Sequence, residues 1–440
     1  MKNLSGFPCV EVEFDKQGKI FDASALQEAV ALVSDNAISD LFVISHGWNN
    51  DMSEARRLYK DFFSRVRQVL DGDASLAGAR KFAILAVLWP SKKFADKQLT
   101  ASGAASGSSP VTDAVLRKQL DDLKGVFDNP KANTILAAAK KLVPQLEKST
   151  AAQARFADLV RSLPKNRKGG SEDASDGFFK LKGGDVMKRL SRPVPGPRPK
   201  PSAKGGAAGG AAGIGAPGGA ASIGGIFSGI RSAARNILNF TTYYQMKERA
   251  GIVGSSGVAD AIRKIRAKSP GVKIHLIGHS FGGRLVTAAA LGQAGKPPQI
   301  MASMTLLQAA FSHNGFAGNF QGKPGFFRGV IDSKKVTGPV LITCTSNDEA
   351  VGVAYPLASL IAGQNAAKLG DANDPFGGIG ANGAQNTVEA VPGVLGAVGT
   401  AYSFTGGKLY NLTADKFIND HSDICKPEVA YALLKAVART

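Results

Sequence analysis

Val272-Lys273-Ile274-His275-Leu276-Ile277-Gly278-His279-Ser280-Phe281-Gly282 is an apolar strand that runs straight into a Gly-x-Ser-x-Gly turn. Beyond the turn, Leu285, Val286, Ala289 and Ala290 recur at the spacing of one helical face. A strand that bends through this pentapeptide into a helix holds its serine in a strained backbone, with Oγ exposed at the carboxyl end of the strand. Gly278 and Gly282 flank the bend because side chains there would collide across it. A chain with 52 glycines could meet the pentapeptide by accident. The strand before it and the helix after it make the match specific, so Ser280 is the candidate nucleophile.

Strands and helices alternate on both sides of this turn. Val10 to Phe21 reads as a hairpin around Lys16-Gln17-Gly18-Lys19. Ser24 and Gln27 read as a capping box for a helix with Leu26, Ala29, Val30 and Val33 on one face. Leu41–Ile44 is a short apolar strand ending in Ser45-His46-Gly47-Trp48-Asn49-Asn50. Leu58, Phe62, Val66 and Val69 mark a helix, and Phe82–Leu88 a buried strand. Downstream of the elbow, strands are expected at Ile300–Leu307, Pro339–Cys344 and Lys408–Leu412, and a last helix opens at Pro427. The alternation implies a mainly parallel sheet covered on both faces.

Residues 91–240 interrupt that rhythm with no convincing strand. They hold an Ala/Ser/Gly stretch (Thr100–Ser109) and helical blocks near Leu116–Phe127, Ile135–Leu146 and Phe156–Leu163. A basic, proline-rich run from Arg161 to Lys204 and a Gly/Ala tract from Gly205 to Gly225 follow. We expect an inserted cap between core segments 1–90 and 241–440, partly disordered over Gly169–Gly225. The formal charge of +19 is concentrated in the basic run. It reads as an extended solvated linker or as a contact for an anionic membrane surface. Ile223, Ile226, Phe227, Ile230, Ala234, Ile237 and Leu238 form a stripe with Arg231 and Arg235 opposite. The stripe fits a lid helix, an interfacial helix or a helix packed on the core.

A serine hydroxyl needs a base, and the base needs an orienting carboxylate. Asp348 follows the Pro339–Cys344 strand, ahead of the weaker candidates Glu349, Asp332 and Asp371. Of five histidines, only His421 lies downstream of an acid loop. The oxyanion donors are expected from the amides of Phe281, which follows the nucleophile, and Trp48. His46, Gly47, His279 and Gln308 are assigned to the substrate pocket. The order of His46-Gly47-Trp48, Gly278–Gly283, Asp348 and His421 resembles the α/β-hydrolase superfamily in its bacterial lipase and esterase-like branch, over roughly residues 8–90 and 240–440. The resemblance implies an acyl-enzyme on Ser280, His421 as base, Asp348 as orienter, and neither metal nor organic cofactor.

The expected activity is hydrolysis of carboxylic esters, on acyl or lipid-like substrates. The same residues would serve a serine peptidase or an acyltransferase. A membrane-associated interaction protein on a hydrolase scaffold is the reading from another class. The basic charge lacks the interleaved aromatics of a nucleic-acid platform, so no nucleic-acid partner is expected. Cys9, Cys344 and Cys425 give no disulfide framework or metal-ligand spacing. Without a signal-peptide pattern or an apolar twenty-residue span, the cytoplasm is the default compartment, with signal-independent export left open.

Overall fold

The computed structural model describes residues 2–48, 50–91, 111–165, 175–192, 229–348, 361 and 375–440. Nine strands, β1 (Lys2–Leu4), β2 (Phe7–Glu13), β3 (Asp40–Ser45), β4 (Phe82–Leu88), β5 (Lys273–His279), β6 (Ser303–Leu307), β7 (Val340–Cys344), β8 (Ala390–Val394) and β9 (Leu409–Thr413), form one sheet. Their spatial order is β1-β2-β4-β3-β5-β6-β7-β9-β8. Every pairing is parallel except β1 with β2. Strands β3 to β7 are buried along nearly their whole length, because helices cover both faces and neither face can be polar.

Side chains alternate across each strand, so the sheet feeds two cores. On one face Val43, Leu85, Ile274, Leu276 and Leu306 meet α1 (Ala23–Asp35), α9 (Ala259–Lys268) and α10 (Phe281–Leu291). On the other, Phe42, Ile44, Ile84 and Ile277 meet Phe62, Phe63 and Val66 of α2 (Met52–Gly72) and Leu433 and Leu434 of α13 (Pro427–Val437). Helix α2 starts at a true capping box, in which Asp51 accepts from Glu54 N and Glu54 accepts from Asp51 N.

A third core belongs to the inserted segment. It unites α3 (Asp113–Asp122), α4 (Ala132–Leu142), α5 (Thr150–Arg161), α6 (Ser175–Lys180), α7 (Gly183–Leu190) and the first half of α8 (Ile230–Ile252), around Leu120, Leu136, Phe156, Phe178, Val186 and Ile237. The second half of α8 leaves that cluster, and Met246 and Ala250 join the core under the sheet. A π-helical turn, Val253–Val258, then passes the chain to α9. Arg249 fastens the two layers by donating to Pro90 O and Val126 O at 2.8 and 2.7 Å.

Several local expectations are corrected. No second strand follows β2: Phe14 and Ile20 form one isolated bridge, and the real hairpin is β1–β2, turned by Ser5 and Gly6. The cap of α1 is Asp22, which accepts from Ser24 N, rather than a Ser24–Gln27 box. Part of the run read as an extended linker is helical, in α6 and α7, whose Phe178, Val186 and Leu190 find apolar partners in the cap. Strand β8 went unexpected, whereas the strand expected at Lys408–Leu412 is β9, which pairs with both β7 and β8. Helix α11 (Arg328–Asp332) and the short α12 (Ile379–Asn382) complete the elements used below. Thr100–Ser109, Pro193–Pro201, Gly205–Gly225, Ile223, Ile226, Phe227, Asn49, Glu349 and Asp371 lie outside the described residues. Among the described residues no helix is long and apolar enough to cross a membrane.

Candidate active site

Parallel strands deliver their carboxyl ends to one edge, and the candidate residues lie at five of the strand ends there, those of β3, β5, β6, β7 and β9. Ser280 stands between β5 and α10 with φ 55° and ψ −124°, a conformation that L residues rarely hold. The strain is locked from both sides. A Cβ at Gly282 would lie 2.1 Å from Ser45 O, so the elbow presses directly on the end of β3. Ser280 N donates to Leu307 O at 3.0 Å, which ties the turn to the end of β6.

The loop after β3 lies against the nucleophile. A side chain at Gly47 would come within 2.6 Å of Ser280 Cβ and 3.2 Å of Ser280 Oγ, so glycine is the residue that fits. The amides of Trp48 and Phe281 have no acceptor among the described residues. For Phe281 this follows from its place as the first residue of a helix, whose first N–H groups lack intrahelical partners. Both are therefore available to a developing oxyanion.

Asp348 leaves the end of β7 and is buried, and His421 lies in the loop between β9 and α13. His421 Nδ1 donates to Asp348 Oδ2 at 2.8 Å, leaving Nε2 as the acceptor nitrogen. Burial alone would lower the pKa of His421. The charge of Asp348, its hydrogen bond and the nearby Asp420 outweigh burial and raise it above the usual histidine value. The two loops are bound together by Asn347, whose Nδ2 donates to Asp415 O and Ile418 O at 3.1 and 2.9 Å. Asp415 in turn accepts from Thr345 Oγ1 and Ser346 N.

Ser280 Oγ makes no hydrogen bond among the described residues, so the expected serine–histidine bond is not closed in this state. The two are joined through His279: its ring lies 4.9 Å from that of His421, and its Nε2 donates to His421 O at 2.8 Å. Catalytic hydrogen bonds are commonly long before substrate arrives.

The four residues assigned to the pocket take different places. His46 is 0% exposed, with Nδ1 donating to Gly47 O at 2.9 Å, Nε2 accepting from Trp89 N at 3.3 Å, and its ring stacked on Trp89. Burial lowers its pKa to about 4. It stiffens the Gly47 loop from behind instead of lining a pocket. His279 likewise props the His421 loop, and burial pushes its pKa down to about 3. Its Nδ1 faces the site without a partner. Gln308, at φ 41°, accepts from Thr343 Oγ1 at 2.8 Å and leaves Nε2 unpaired. Sequence reasoning missed Tyr59 of α2, which accepts from His46 N at 2.8 Å, as well as Asn347 and Asp415, which only their positions after β7 and β9 could have marked. Among the described residues no three His, Cys, Asp or Glu side chains are grouped to hold a metal ion.

A model of the alpha/beta hydrolase fold matches residues 243–338, from the second half of α8 through the elbow to the residues before β7. No curated protein and no solved structure matches the chain. With that match, the mostly parallel nine-stranded sheet and the serine held at the strand-to-helix bend, the chain has the α/β-hydrolase fold.

Proposed function

We propose that this protein is a serine hydrolase of carboxylic esters that works through an acyl-enzyme on Ser280. The observation that carries the reading is the 2.8 Å bond between His421 and Asp348 at the same sheet edge as the strained serine. In this mechanism His421 Nε2 takes the proton of Ser280 Oγ as the oxygen attacks the ester carbonyl carbon. The carbonyl oxygen becomes an oxyanion and accepts from the amides of Phe281 and Trp48, each such donor contributing ~3 kcal/mol to transition-state stability. His421 returns the proton to the departing alcohol. A water molecule, deprotonated by the same nitrogen, then attacks the acyl carbon, and His421 passes the proton to Ser280 Oγ as the bond to the acyl group breaks and the acid leaves. Asp348 stays ionised, fixing the tautomer and stabilising the imidazolium.

Supporting this reading, the nucleophile, the acid and the base come from three separate strand ends, and Gly47 leaves the space that an oxyanion loop requires. The test is release of p-nitrophenol from acyl esters together with labelling by a fluorophosphonate probe, wild type beside Ser280→Ala. Labelling of the variant at wild-type level would end the proposal. Amide and thioester substrates assayed in parallel would separate esterase from peptidase or transferase chemistry.

A further inference from the structure

Four arginines among the described residues are more than nine-tenths buried: Arg161, Arg235, Arg249 and Arg284. Three of them have oxygen acceptors for their guanidinium groups, although the Nε–H of Arg249 is itself without one. Arg161 donates to Leu181 O at 2.8 Å and pairs with Asp158. Arg249 donates to two carbonyls, as described above. Arg284 donates to Lys247 O at 3.0 Å and stacks over Phe326 and Phe327.

Arg235 is the exception. It is 6% exposed, its Nε–H is enclosed without an acceptor, and no carboxylate or carbonyl among the described residues receives its guanidinium. Burial is the sole influence on its pKa, which it lowers. Arginine nonetheless keeps its proton inside proteins, so the charge remains. Beside it Asn236, also buried, has no partner for Nδ2. An uncompensated buried cation is costly, and natural structures retain such groups where something else supplies the counter-charge.

Position along α8 connects this cation to the reaction centre. Tyr243, on the same helix, packs its ring 5.1 Å from that of Phe281, the residue after the nucleophile. Asn236 precedes Tyr243 by seven residues, which places the two on one helical face. Arg235 lies eight residues before Tyr243, about 12 Å of helix rise from the elbow contact. Trp48, between the cap core and the sheet core, offers a further unpaired donor, its buried indole N–H.

We propose that Arg235, with Asn236 beside it, receives an oxyanion carried by the acyl part of the substrate at the end remote from the ester, so that the enzyme selects charged acyl esters over neutral ones. The inference rests on the reading of Ser280 as the nucleophile. A carboxylate and a phosphate share the chemistry that a guanidinium fork recognises. The donors thus define an acceptor-rich group, not an alkyl terminus.

The test compares wild type with Arg235→Met and Arg235→Lys. The substrates are p-nitrophenyl half-esters of a dicarboxylic acid series, phosphate-terminated acyl esters, and methyl-terminated esters of matching length. The wild type is expected to prefer one charged series, which identifies the source of the oxyanion. The ratio of kcat/KM for charged over methyl-terminated ester should fall at least about tenfold in Arg235→Met, and less in Arg235→Lys. An unchanged ratio overturns the proposal. Because a counterion-less charge is removed, the melting temperature of Arg235→Met should equal or exceed that of wild type, whereas a purely structural arginine would lower it. Calorimetric titration of suberate and of inorganic phosphate needs no turnover. Binding that is lost in Arg235→Met, with no ester cleaved by wild type, would condemn the esterase reading and leave standing only an anion site at Arg235. Absence of both binding and charge preference in a wild type that cleaves neutral esters would remove the inference alone.

Discussion

The sheet carries two groupings of serine, histidine and aspartate, at opposite ends of its strands. At the carboxyl ends stand Ser280, His421 and Asp348. At the amino ends, Ser303 Oγ–H donates to His275 Nδ1 at 2.8 Å, and His275 Nε2 donates to Asp40 Oδ1 at 2.9 Å. Arg80 adds an ion pair to Asp40. By hydrogen bonding alone the amino-end grouping is the better formed. Yet Ser303 and His275 are both 0% exposed, and Ser303 sits in a regular strand whose amides belong to the ladder. The carboxyl-end serine has a strained backbone, free amides beside it and a loop opposite that leaves it space. In the proposed mechanism reactivity follows from the edge and the bend, and the residue types alone do not confer it.

Charge separates the two histidines as well. Both touch an aspartate, but their pKa values move in opposite directions. Burial lowers His275, and Arg80 and Lys273 offset the help it receives from Asp40. His421 is raised because Asp348 and Asp420 together overcome burial.

The comparison is sharpest in Ser280→Ala, which should lose at least about 1000-fold in kcat/KM on acyl esters with little change in urea stability. Next comes Asp348→Asn, expected to cost about 100-fold or more in kcat, by leaving His421 in the wrong tautomer. Its amino-end counterpart, Asp40→Ala, should act on folding instead. Removing one partner of a buried pair leaves Arg80 and His275 uncompensated, and chemical denaturation should show a loss of about 3–5 kcal/mol, with kcat near wild type wherever the protein is folded. Wild-type levels of stability in Asp40→Ala would break the contrast.

The smallest effects are those of pH. His421 must be neutral to accept a proton, so the acid limb of kcat/KM should lie above the ordinary histidine value of about 6.5. That limb should move down in Asp348→Asn. For stability the signs differ. The lowered pKa of His275 means its contribution is present above about 6.5 and is lost as pH falls through its folded value. The raised pKa of His421 gives a contribution present below about 6.5 and lost as pH rises through its folded value. Melting temperatures of wild type and His275→Gln from pH 5 to 8 would test the first sign; a parallel pH dependence in the two would refute it.

Much of this was legible in the sequence because the deciding residues sit beside strong periodic signals. Strands β3, β4, β5 and β7 are doubly covered and read as continuous apolar runs. The elbow announces itself through its glycines. Other features depend on partners far along the chain. Strand β8 reads Ala390-Val391-Pro392-Gly393-Val394, with the Pro and Gly of a turn, and is a strand only because β9 lends it a ladder. Lys16–Lys19 looked like a hairpin because alternation continues past it, yet β2 finds β4 instead. Of the stripe, Ile230, Ala234, Ile237 and Leu238 lie on α8 and pack in the third core. The stripe could not show that the opposite face, with Arg235, is covered too, since periodicity reports polarity and not enclosure. Asn347 and Asp415, which fasten the acid and histidine loops, carry no pattern at all.

Helix α8 has a bearing on modularity. Its early turns belong to the cap core and its later turns to the core beneath the sheet, with Tyr243 at the changeover touching Phe281. Excising the inserted segment at residue 240 would cut the helix in mid-course and strip support from Phe281, next to Ser280. A cap transplanted from a relative would have to bring this helix with it as far as the π-helical turn at Val253–Val258. The inserted layer and the sheet layer are therefore exchangeable only along a seam at the π-helical turn, ahead of α9 and the strand β5 where the strand rhythm resumes.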